Sequence, residues 1–441
     1  MWIRRALAKA KNINSKARTE ARPPIGVFGM ECGKMLAPAQ GIHYASQVTL
    51  RTLALAAATC LALGGCGKPV PAAAKPPPTI STPLAPPLAP ANAIPVGAFL
   101  PLSGSQAAFG QAALEGIKLA VSQINAAGGL EKRPVHLILR DTNSKGSEAA
   151  RIVRELVAKD KVVALLGEIA SENSLQAAPV AAELGIPMIS PGSTHAGVTK
   201  AGPGIFRVCF VDPLQGRVMS KFAMSIGVTK AAILFDPADP YSAALAQSFE
   251  VDFLARGGAI AAKETCARNA PEFSAQLEAI KAKQPEVIFL PVYFPQAAAI
   301  IKQARPLGID QPFIGTDGWE SPEFLKAGGQ AVNNSYFASH FSAGEPSERT
   351  KTFVVAFNSE YGHEPLALAA LGYDAMNFLA DGIRRAAGTE PAALQKALAA
   401  TKDFPGVTGT ITPDADRNPA KSAIVVRVDG GKFHYLETVA P

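Results

Sequence analysis

Short hydroxyl side chains follow two neighbouring apolar runs of this sequence, at the point where each run ends. Ser171 comes after the run 162–167, and Ser193 and Thr194 come after the run 187–190. Both loops lead toward predicted helix N-termini, whose free N–H groups and dipole favour an anion. These hydroxyls could hold a carboxylate together, or Ser171 could simply cap its helix. The presence of two such loops at adjacent strand ends favours binding.

An acid and two aromatic residues follow other apolar runs. Asp317 comes after the run 313–315, and Tyr241 lies in the loop after the run 231–235. An acid at a strand end, beside glycine and tryptophan, suits a ligand ammonium; the alternative is an Asx-turn. We expect Phe109 on a loop after the first strand, either as a lid on the first helix or as a cleft wall.

Two series of alternating strands and helices must position these residues. Strands of the first series are predicted at 94–101, 135–140, 162–167 and 187–190, and those of the second at 207–211, 231–235, 259–264, 287–292 and 313–315. A further strand at 336–340, helices at 348–360, 367–387 and 391–400, and a hairpin at 423–428 and 433–438 complete the chain. Continuous apolar runs separated by helices indicate parallel sheets covered on both faces. The fold class is therefore α/β, with two doubly wound Rossmann-like lobes and a ligand crevice at the strand ends.

The net charge of +7 is concentrated at the N-terminus. Residues 1–66 hold nine Lys or Arg and two Asp or Glu, which leaves 34 basic and 34 acidic residues in 67–441. Since a nucleic-acid binder needs a basic surface, we exclude that class of partner.

Cys66 marks the end of a predicted export signal, residues 1–65. Arg51 precedes fourteen uncharged residues, 52–65, and the Pro- and Ala-rich stretch 67–93 follows the cysteine. A basic residue, a short apolar run and small residues at its end are typical of a secretory signal. The last four residues resemble the lipobox of bacterial lipoproteins, which implies lipid on Cys66 and a tether over 66–93. The alternative is a buried cysteine at a helix end.

The signal is long, and translation could begin at Met35 or Val48 instead. Two cysteines further along, Cys209 and Cys266, follow apolar runs; they could form a disulfide across a sheet or remain two buried thiols.

Several longer segments resemble the leucine/isoleucine/valine-binding family of solute-binding proteins that serve ATP-binding-cassette importers. They keep that family's order and spacing from Ile94 to the C-terminus: PLSGSQAAFGQAALEGIKLAVSQINAAGG (101–129), GEIASENS (167–174), ISPGSTHAGVT (189–199), FRVCFVDPLQG (206–216), FIGTDGW (313–319) and ALGYDA (370–375). The resemblance implies a type I periplasmic binding protein clamshell. Lobe 1 would comprise 94–210 plus 341–415, and lobe 2 would comprise 211–340 plus 416–441.

The resemblance also implies an amino-acid site. Ser171 and the loop Gly192, Ser193 and Thr194 would hold the ligand carboxylate, and Gly192, Thr194 and Asp317 would receive its ammonium. Phe109 and Tyr241 would form the walls, with Leu368 as a side-chain contact. Neutral hydroxyls on one lobe and an acid on the other make a zwitterion the natural bridging ligand.

The function that we predict is capture of a branched-chain or other aliphatic amino acid and its delivery to a permease of the inner membrane. The protein would be a periplasmic monomer, anchored to the inner or outer membrane through Cys66, without a cofactor or metal. An enzyme is disfavoured because G-x-G-x-x-G, P-loop and G-x-S-x-G motifs are missing from the sequence and its six histidines lack metal-ligand spacing. The alternative is a clamshell lipoprotein that senses a ligand or assists cell-wall synthases.

Overall fold

The computed structural model describes Pro90 and residues 92–440. The predicted signal segment, Cys66 and the tether up to residue 89 lie outside these residues. Within 92–440, no helix combines the length and apolar character needed to cross a bilayer.

The first series of elements builds a parallel five-stranded sheet. Its strands are β1 (Ile94–Leu100), β2 (Val135–Asp141), β3 (Ala164–Gly167), β4 (Met188–Ser190) and β5 (Ile205–Arg207), joined by helices α1 (Ala107–Ala126), α2 (Gly146–Ala158) and α3 (Ser171–Glu183) and a short 3₁₀ turn. The strand order is β2-β1-β3-β4-β5, with every neighbouring pair parallel. The direction of winding therefore reverses between β1 and β3, where parallel α/β sheets bind ligands.

The second series begins with α4 (Asp212–Ser225). It continues as β6 (Lys230–Phe235), α5 (Pro240–Ala255), β7 (Ala259–Thr265), α6 (Ser274–Ala282), β8 (Val287–Phe289), α7 (Phe294–Ala304), β9 (Phe313–Gly315), α8 (Pro322–Gly328) and β10 (Ser335–Ser339). Proline occupies the first turn of α4, α5, α7 and α8, where its missing N–H costs no hydrogen bond.

The remaining elements return to both sheets. They are α9 (Glu348–Tyr361), α10 (Ala367–Ala386), α11 (Pro391–Ala399), the small pair β11 (Phe404–Gly406) and β12 (Gly409–Ile411), and the hairpin β13 (Ala423–Asp429) and β14 (Lys432–Val439). Helix α10 packs along α1, and β13 pairs antiparallel with β10. The second sheet therefore has seven strands in the order β14-β13-β10-β9-β8-β6-β7.

Two local predictions are wrong. The run 207–211 is not a strand of the second series. The strand at this point is β5, which ends at Arg207 and pairs with β4 of the first sheet. Its apolar character comes from a buried connection, Val208 to Phe210, that leads to α4. Phe109 lies in the first turn of α1 rather than in a loop, because that helix begins five residues earlier than its apolar period indicates.

Cys209 and Cys266 are both buried free thiols. Burial raises the pKa of each to about 12, so both remain protonated and unreactive.

Candidate functional site

A small cavity lies where the carboxyl ends of the two sheets face each other. Its lining residues come from both series and from α10: Phe109, Ile169, Gly192, Tyr241, Tyr293, Asp317, Gly318, Glu320, His340, Ala367 and Leu368. Its volume is about 20 Å³, which is room for about one water molecule. The walls must separate before a larger molecule can enter.

Asp317 is one of two acids that line this cavity. It begins a short 3₁₀ turn after β9, and its side chain is 12% exposed. The Tyr241 hydroxyl donates to its Oδ1 at 2.7 Å, and His340 Nε2 donates to its Oδ2 at 3.0 Å. Its backbone N–H donates to Gln215 Oε1 at 3.1 Å. Two side chains therefore fix the direction of the carboxylate, and Gln215 fixes the backbone that carries it.

Tyr241 is held by its own helix and by the Asp317 loop. Asp239 caps α5 by accepting from the Tyr241 backbone N–H. Since the Tyr241 hydroxyl donates its one proton to Asp317, it accepts from the Thr316 hydroxyl at 2.7 Å and from Gly318 N–H at 3.0 Å. Burial raises the pKa of Tyr241 well above its usual value, so it remains a donor.

Three aromatic rings form one wall of the cavity. Tyr241 stacks on Tyr293 with ring centroids 4.6 Å apart and an interplanar angle of 11°. Phe109 meets Tyr293 edge-on at 6.0 Å and Phe294 at 5.1 Å. Because Phe109 comes from the first series and both partners from the second, this contact joins the two sides of the cavity.

The hydroxyl loops lie behind Gly192, and none of their three predicted side chains lines the cavity. Ser171 is the first residue of α3, not its cap, and its hydroxyl accepts from His195 N–H at 3.1 Å. The Ser193 hydroxyl contacts Ser174 Oγ at 2.6 Å and the Ile169 carbonyl at 3.0 Å, so it ties the two loops together. Thr194 is fully buried, and its hydroxyl has no hydrogen-bond partner among residues 92–440.

Two buried charged residues brace these loops. Arg207 donates to the carbonyls of Ser193 and His195 at 2.6 and 2.8 Å. Glu168 accepts from the Thr142 hydroxyl at 2.7 Å and from Ala170 N–H at 2.6 Å. Burial raises the pKa of Glu168 to about 7, and these hydrogen bonds oppose that rise.

His340 connects the acid to the segments that join the two series. Its ring stacks on Phe210, with centroids 3.6 Å apart, and both residues lie just beyond the strands that lead out of the sheets. Burial lowers the pKa of His340, and hydrogen bonding to Asp317 opposes that shift. A neutral His340 that donates from Nε2 leaves Nδ1 without a proton and, among the described residues, without a partner.

Glu320 is a second acid in the lining. Its carboxylate accepts a hydrogen bond from the Ser339 hydroxyl. It also accepts one from the backbone N–H of Ala367, the first residue of α10, at 2.9 Å. Burial raises the pKa of its carboxyl to about 7. The cavity lining within the described residues contains two acids, Asp317 and Glu320, and neither Lys nor Arg.

Leu368 and Gly192 face each other across the remaining space. A Cβ atom on Gly192 would lie 2.8 Å from Leu368 Cδ2 and 3.2 Å from Ile169 Cγ2. Glycine at this position therefore permits the close approach of the loop to the first turn of α10.

The structure brings five of the eight predicted residues together around the cavity: Phe109, Gly192, Tyr241, Asp317 and Leu368. Sequence reasoning missed Tyr293, Glu320 and His340. Tyr293 follows β8 as Tyr241 follows β6, so the same strand-end argument could have found it. Nothing in the local sequence pattern indicates that His340 reaches Asp317.

Comparison with known proteins places the chain in a family. The family model described as "Periplasmic binding protein" matches residues 93–432. A Leu/Ile/Val-binding protein homologue of Brucella abortus is 29% identical over 351 residues, 78% of this chain and 93% of that protein.

Two solved structures share the fold. A leucine-binding protein from Thermotoga maritima is 34% identical, with a TM-score of 0.75 and coverage of 79% of this chain and 99% of that one. A branched-chain amino acid transporter substrate-binding protein from Streptococcus pneumoniae, solved with isoleucine, is 35% identical, with a TM-score of 0.75 and coverage of 79% and 100%. This chain belongs to the periplasmic binding protein family, a family of solute-binding proteins rather than enzymes, and its fold is the two-lobed clamshell of the type I members.

Proposed function

We propose that this protein captures an aliphatic amino acid, branched-chain members above all, between its two lobes and delivers it to an ATP-binding-cassette importer. The observation that carries the proposal is the position of Asp317. Its oriented carboxylate faces an apolar and aromatic cavity, and Gly192, at the start of the loop that carries Ser193 and Thr194, lines the same cavity from the first series. A carboxylate on one side and neutral donors on the other suit the two charges of a zwitterion.

The same residues give the proposed roles. Asp317, the Thr194 hydroxyl and the Gly192 carbonyl would receive the ammonium, and Ser171 with the loop of Ser193 and Thr194 would hold the carboxylate. Phe109, Tyr241 and Leu368 would surround the side chain. Because the Ser193 hydroxyl is already bonded within the protein, its contribution would come from its backbone.

Binding would stabilise the closed form. The cavity has room for about one water molecule, so a ligand enters an open form and the lobes then close around it. A ligand that contacts both lobes shifts the equilibrium by its differential affinity for the closed state.

The lobe boundaries remain those given above: 94–210 plus 341–415, and 211–340 plus 416–441. The stacking of Phe210 on His340 supports crossings at those points. A hydrogen bond from Lys421 to the carbonyl of Val208, at 2.8 Å, also supports them. It links the segment before β13 to the segment after β5.

A thermal-shift screen against the twenty amino acids tests the ligand proposal. The protein from residue 67 should gain several degrees with leucine, isoleucine or valine, because a ligand at a hundred times its dissociation constant adds about 2.7 kcal/mol of stability. Aspartate should give no shift, since its second carboxylate would face Asp317 and Glu320. No shift with any amino acid would contradict the proposal.

Uptake measurements test delivery. Deletion of the gene should abolish uptake of the amino acid found in the screen, and the intact gene should restore it. Binding in the screen with unchanged uptake would favour the sensing or cell-wall alternative instead.

Mass spectrometry tests the anchor. We propose that lipid on Cys66 holds the monomeric protein to a membrane in the periplasm, because one acyl chain alone binds only marginally and a lipoprotein cysteine carries several. An unmodified Cys66 on the mature protein would remove the anchor from this account.

A further inference from the structure

A second and larger cavity, of about 500 Å³, borders the segments that connect the proposed lobes. Its walls come from residues at 345–349, at the start of α9, from 406–410 in the β11–β12 pair, and from the hairpin of β13 and β14. We call it the hinge cavity. Within the part of the chain that the structure describes, His340 is the one residue that lines both this cavity and the ligand cavity.

The imidazole of His340 presents a nitrogen without a partner to the hinge cavity. Its Nε2 donates to Asp317 Oδ2 on the side of the ligand cavity, and Phe210 stacks on one face of the ring. Because the two ring nitrogens point in nearly opposite directions, Nδ1 points away from Asp317 and toward the hinge cavity. Nδ1 has no hydrogen bond within residues 92–440, although the side chain is only 1% exposed. A polar atom that is buried to this degree normally has a partner.

The group that completes this site must donate a hydrogen bond. Burial lowers the pKa of His340, and the charge of Lys421 acts in the same direction, so the ring is neutral. A neutral imidazole that donates from Nε2 has only a lone pair at Nδ1. A carboxylate has no proton to give to that lone pair, whereas an amine or a hydroxyl has one.

The charged side chains that line the hinge cavity favour a cation. They are two acids, Glu345 and Glu348, and one base, Arg349. Glu348 pairs with Lys351, and the guanidinium of Arg349 donates to the Gly406 carbonyl at 3.0 Å. Glu345 forms no ion pair among the described residues. Its carboxylate is therefore the one available to an incoming positive charge.

The charges behind the wall of the cavity balance each other. Lys421 donates to the Thr408 hydroxyl, and the buried carboxylate of Asp374 attracts it. The N-terminus of α9 disfavours a cation, but Glu348 in its first turn offsets that effect. These groups leave the excess negative charge of the lining in place.

We propose that the hinge cavity binds a small primary amine, whose ammonium donates to His340 Nδ1 and pairs with the carboxylate of Glu345. This site lies outside the ligand cavity and goes beyond the proposed function. An ammonium has three N–H bonds, so it can serve the imidazole, the carboxylate and a hydroxyl of the lining such as that of Thr410. The volume of the cavity leaves room for a short aliphatic chain behind the ammonium.

His340 connects this site to the proposed ligand site. A donor at Nδ1 keeps the ring in the tautomer that donates to Asp317, and walls from both proposed lobes make the occupant favour the arrangement that leucine also favours. Coupling between two sites is reciprocal and is typically about fivefold or more in affinity. This coupling, unlike the site itself, rests on the proposed function.

Calorimetry with putrescine tests the site without any amino acid present. The protein from residue 67 should bind putrescine saturably, and inorganic phosphate and glycerol should not bind. Glu345→Gln, which keeps the size of the side chain, should weaken putrescine at least about tenfold, as expected for loss of a charged hydrogen bond. Thr410→Trp should block the cavity, whereas Glu278→Gln, an exposed acid on α6, is the matched control and should bind normally.

The NMR resonance of His340 Nδ1 should also shift when putrescine is added, because a lone pair gains a donor. No binding of putrescine, equal binding by Glu345→Gln and wild type, or an unchanged Nδ1 resonance would overturn the proposal. Binding of phosphate or glycerol instead would overturn its chemical class.

A leucine titration in the presence of putrescine tests the coupling. We expect leucine to bind about fivefold more tightly, and putrescine to gain the same factor from leucine. Competition between the two would place the amine in the ligand cavity and contradict the proposal. If wild type binds putrescine but none of the twenty amino acids, the proposed function is wrong and the amine site stands; the reverse result removes only this inference.

Discussion

Arg268 and Glu172, 96 residues apart in the chain, form an ion pair with an Nη1–Oε2 distance of 2.6 Å. Glu172 lies in the first turn of α3, and Arg268 lies in the loop after β7. The pair therefore links helix α3 of the first series to the loop after β7 of the second series. Arg268 also lies 3.6 Å from Asp239 and 3.8 Å from Asp236, which keep it in place from its own side.

The first prediction is that Glu172→Gln weakens closure without affecting folding. Both side chains of the pair are more than two-fifths exposed, and such pairs contribute about 0–1 kcal/mol. We expect leucine to dissociate up to about fivefold faster, with an unchanged ligand-free unfolding temperature. Stopped-flow fluorescence measures the rate. Glu250→Gln, which breaks a pair with Lys263 between α5 and β7, within the second series alone, is the matched control and should leave the rate unchanged.

The second prediction concerns His340, which donates to Asp317 and stacks on Phe210. His340→Ala should weaken leucine binding by about 1–3 kcal/mol, because the Asp317 carboxylate loses a donor and its orientation. His340→Gln can still donate and should recover part of the affinity. Equal affinities of both variants in calorimetry would show that the histidine does not orient Asp317.

The third prediction tests the space around Gly192. A Cβ there would lie 2.8 Å from Leu368 Cδ2, so Gly192→Ala should narrow the cavity and weaken binding of leucine more than binding of alanine. Gly388→Ala is the matched control, since nothing lies within 4 Å of the added atom. An equal loss of affinity for leucine and alanine would indicate a general distortion of the loop instead.

The fourth prediction is a fall in ligand-free stability as pH rises from 6.5 to 8. Burial raises the pKa of Glu168 and Glu320 to about 7 and that of Asp212 to about 8, from 4.5, 4.5 and 3.8. The folded protein therefore binds more protons than the unfolded chain in this window, and stability decreases with pH. The stabilisation from each carboxyl is fully present below its pKa in the unfolded chain. It is lost as the pH rises through its pKa in the folded protein.

Groups with lowered pKa values oppose only part of this trend. The lowered pKa values of His195 and His340 mean that the unfolded chain binds more protons at these sites near pH 6.5, and this opposing contribution fades as the pH rises. Burial lowers the pKa of Lys421 to about 8, so its opposing contribution grows toward the upper end of the window. Thermal unfolding at each pH measures the effect, and Asp212→Asn should flatten the slope between pH 7 and 8. A stability that increases with pH across this window would contradict these charge states.

The sequence predicted the fold and about half of the cavity lining, for physical reasons that differ by residue. Ser171, Gly192, Tyr241 and Asp317 directly follow strands or begin helices after them, and parallel strands bring their carboxyl ends to one edge. The sequence pattern predicts a loop at Phe109, because the apolar period of α1 begins after the true helix start. The role of His340 depends on the direction of its side chain across a connecting segment, which no local pattern encodes.

The central claim is that Asp317 receives the ammonium of an amino acid. Calorimetry of leucine with wild type and with Asp317→Ala tests it most directly, with the unfolding temperature as a check of folding. We predict a loss of at least about 2 kcal/mol in binding free energy, typical when one side of a buried charge pair is removed, with the fold intact. Near-unchanged leucine affinity in a folded Asp317→Ala protein would contradict the account.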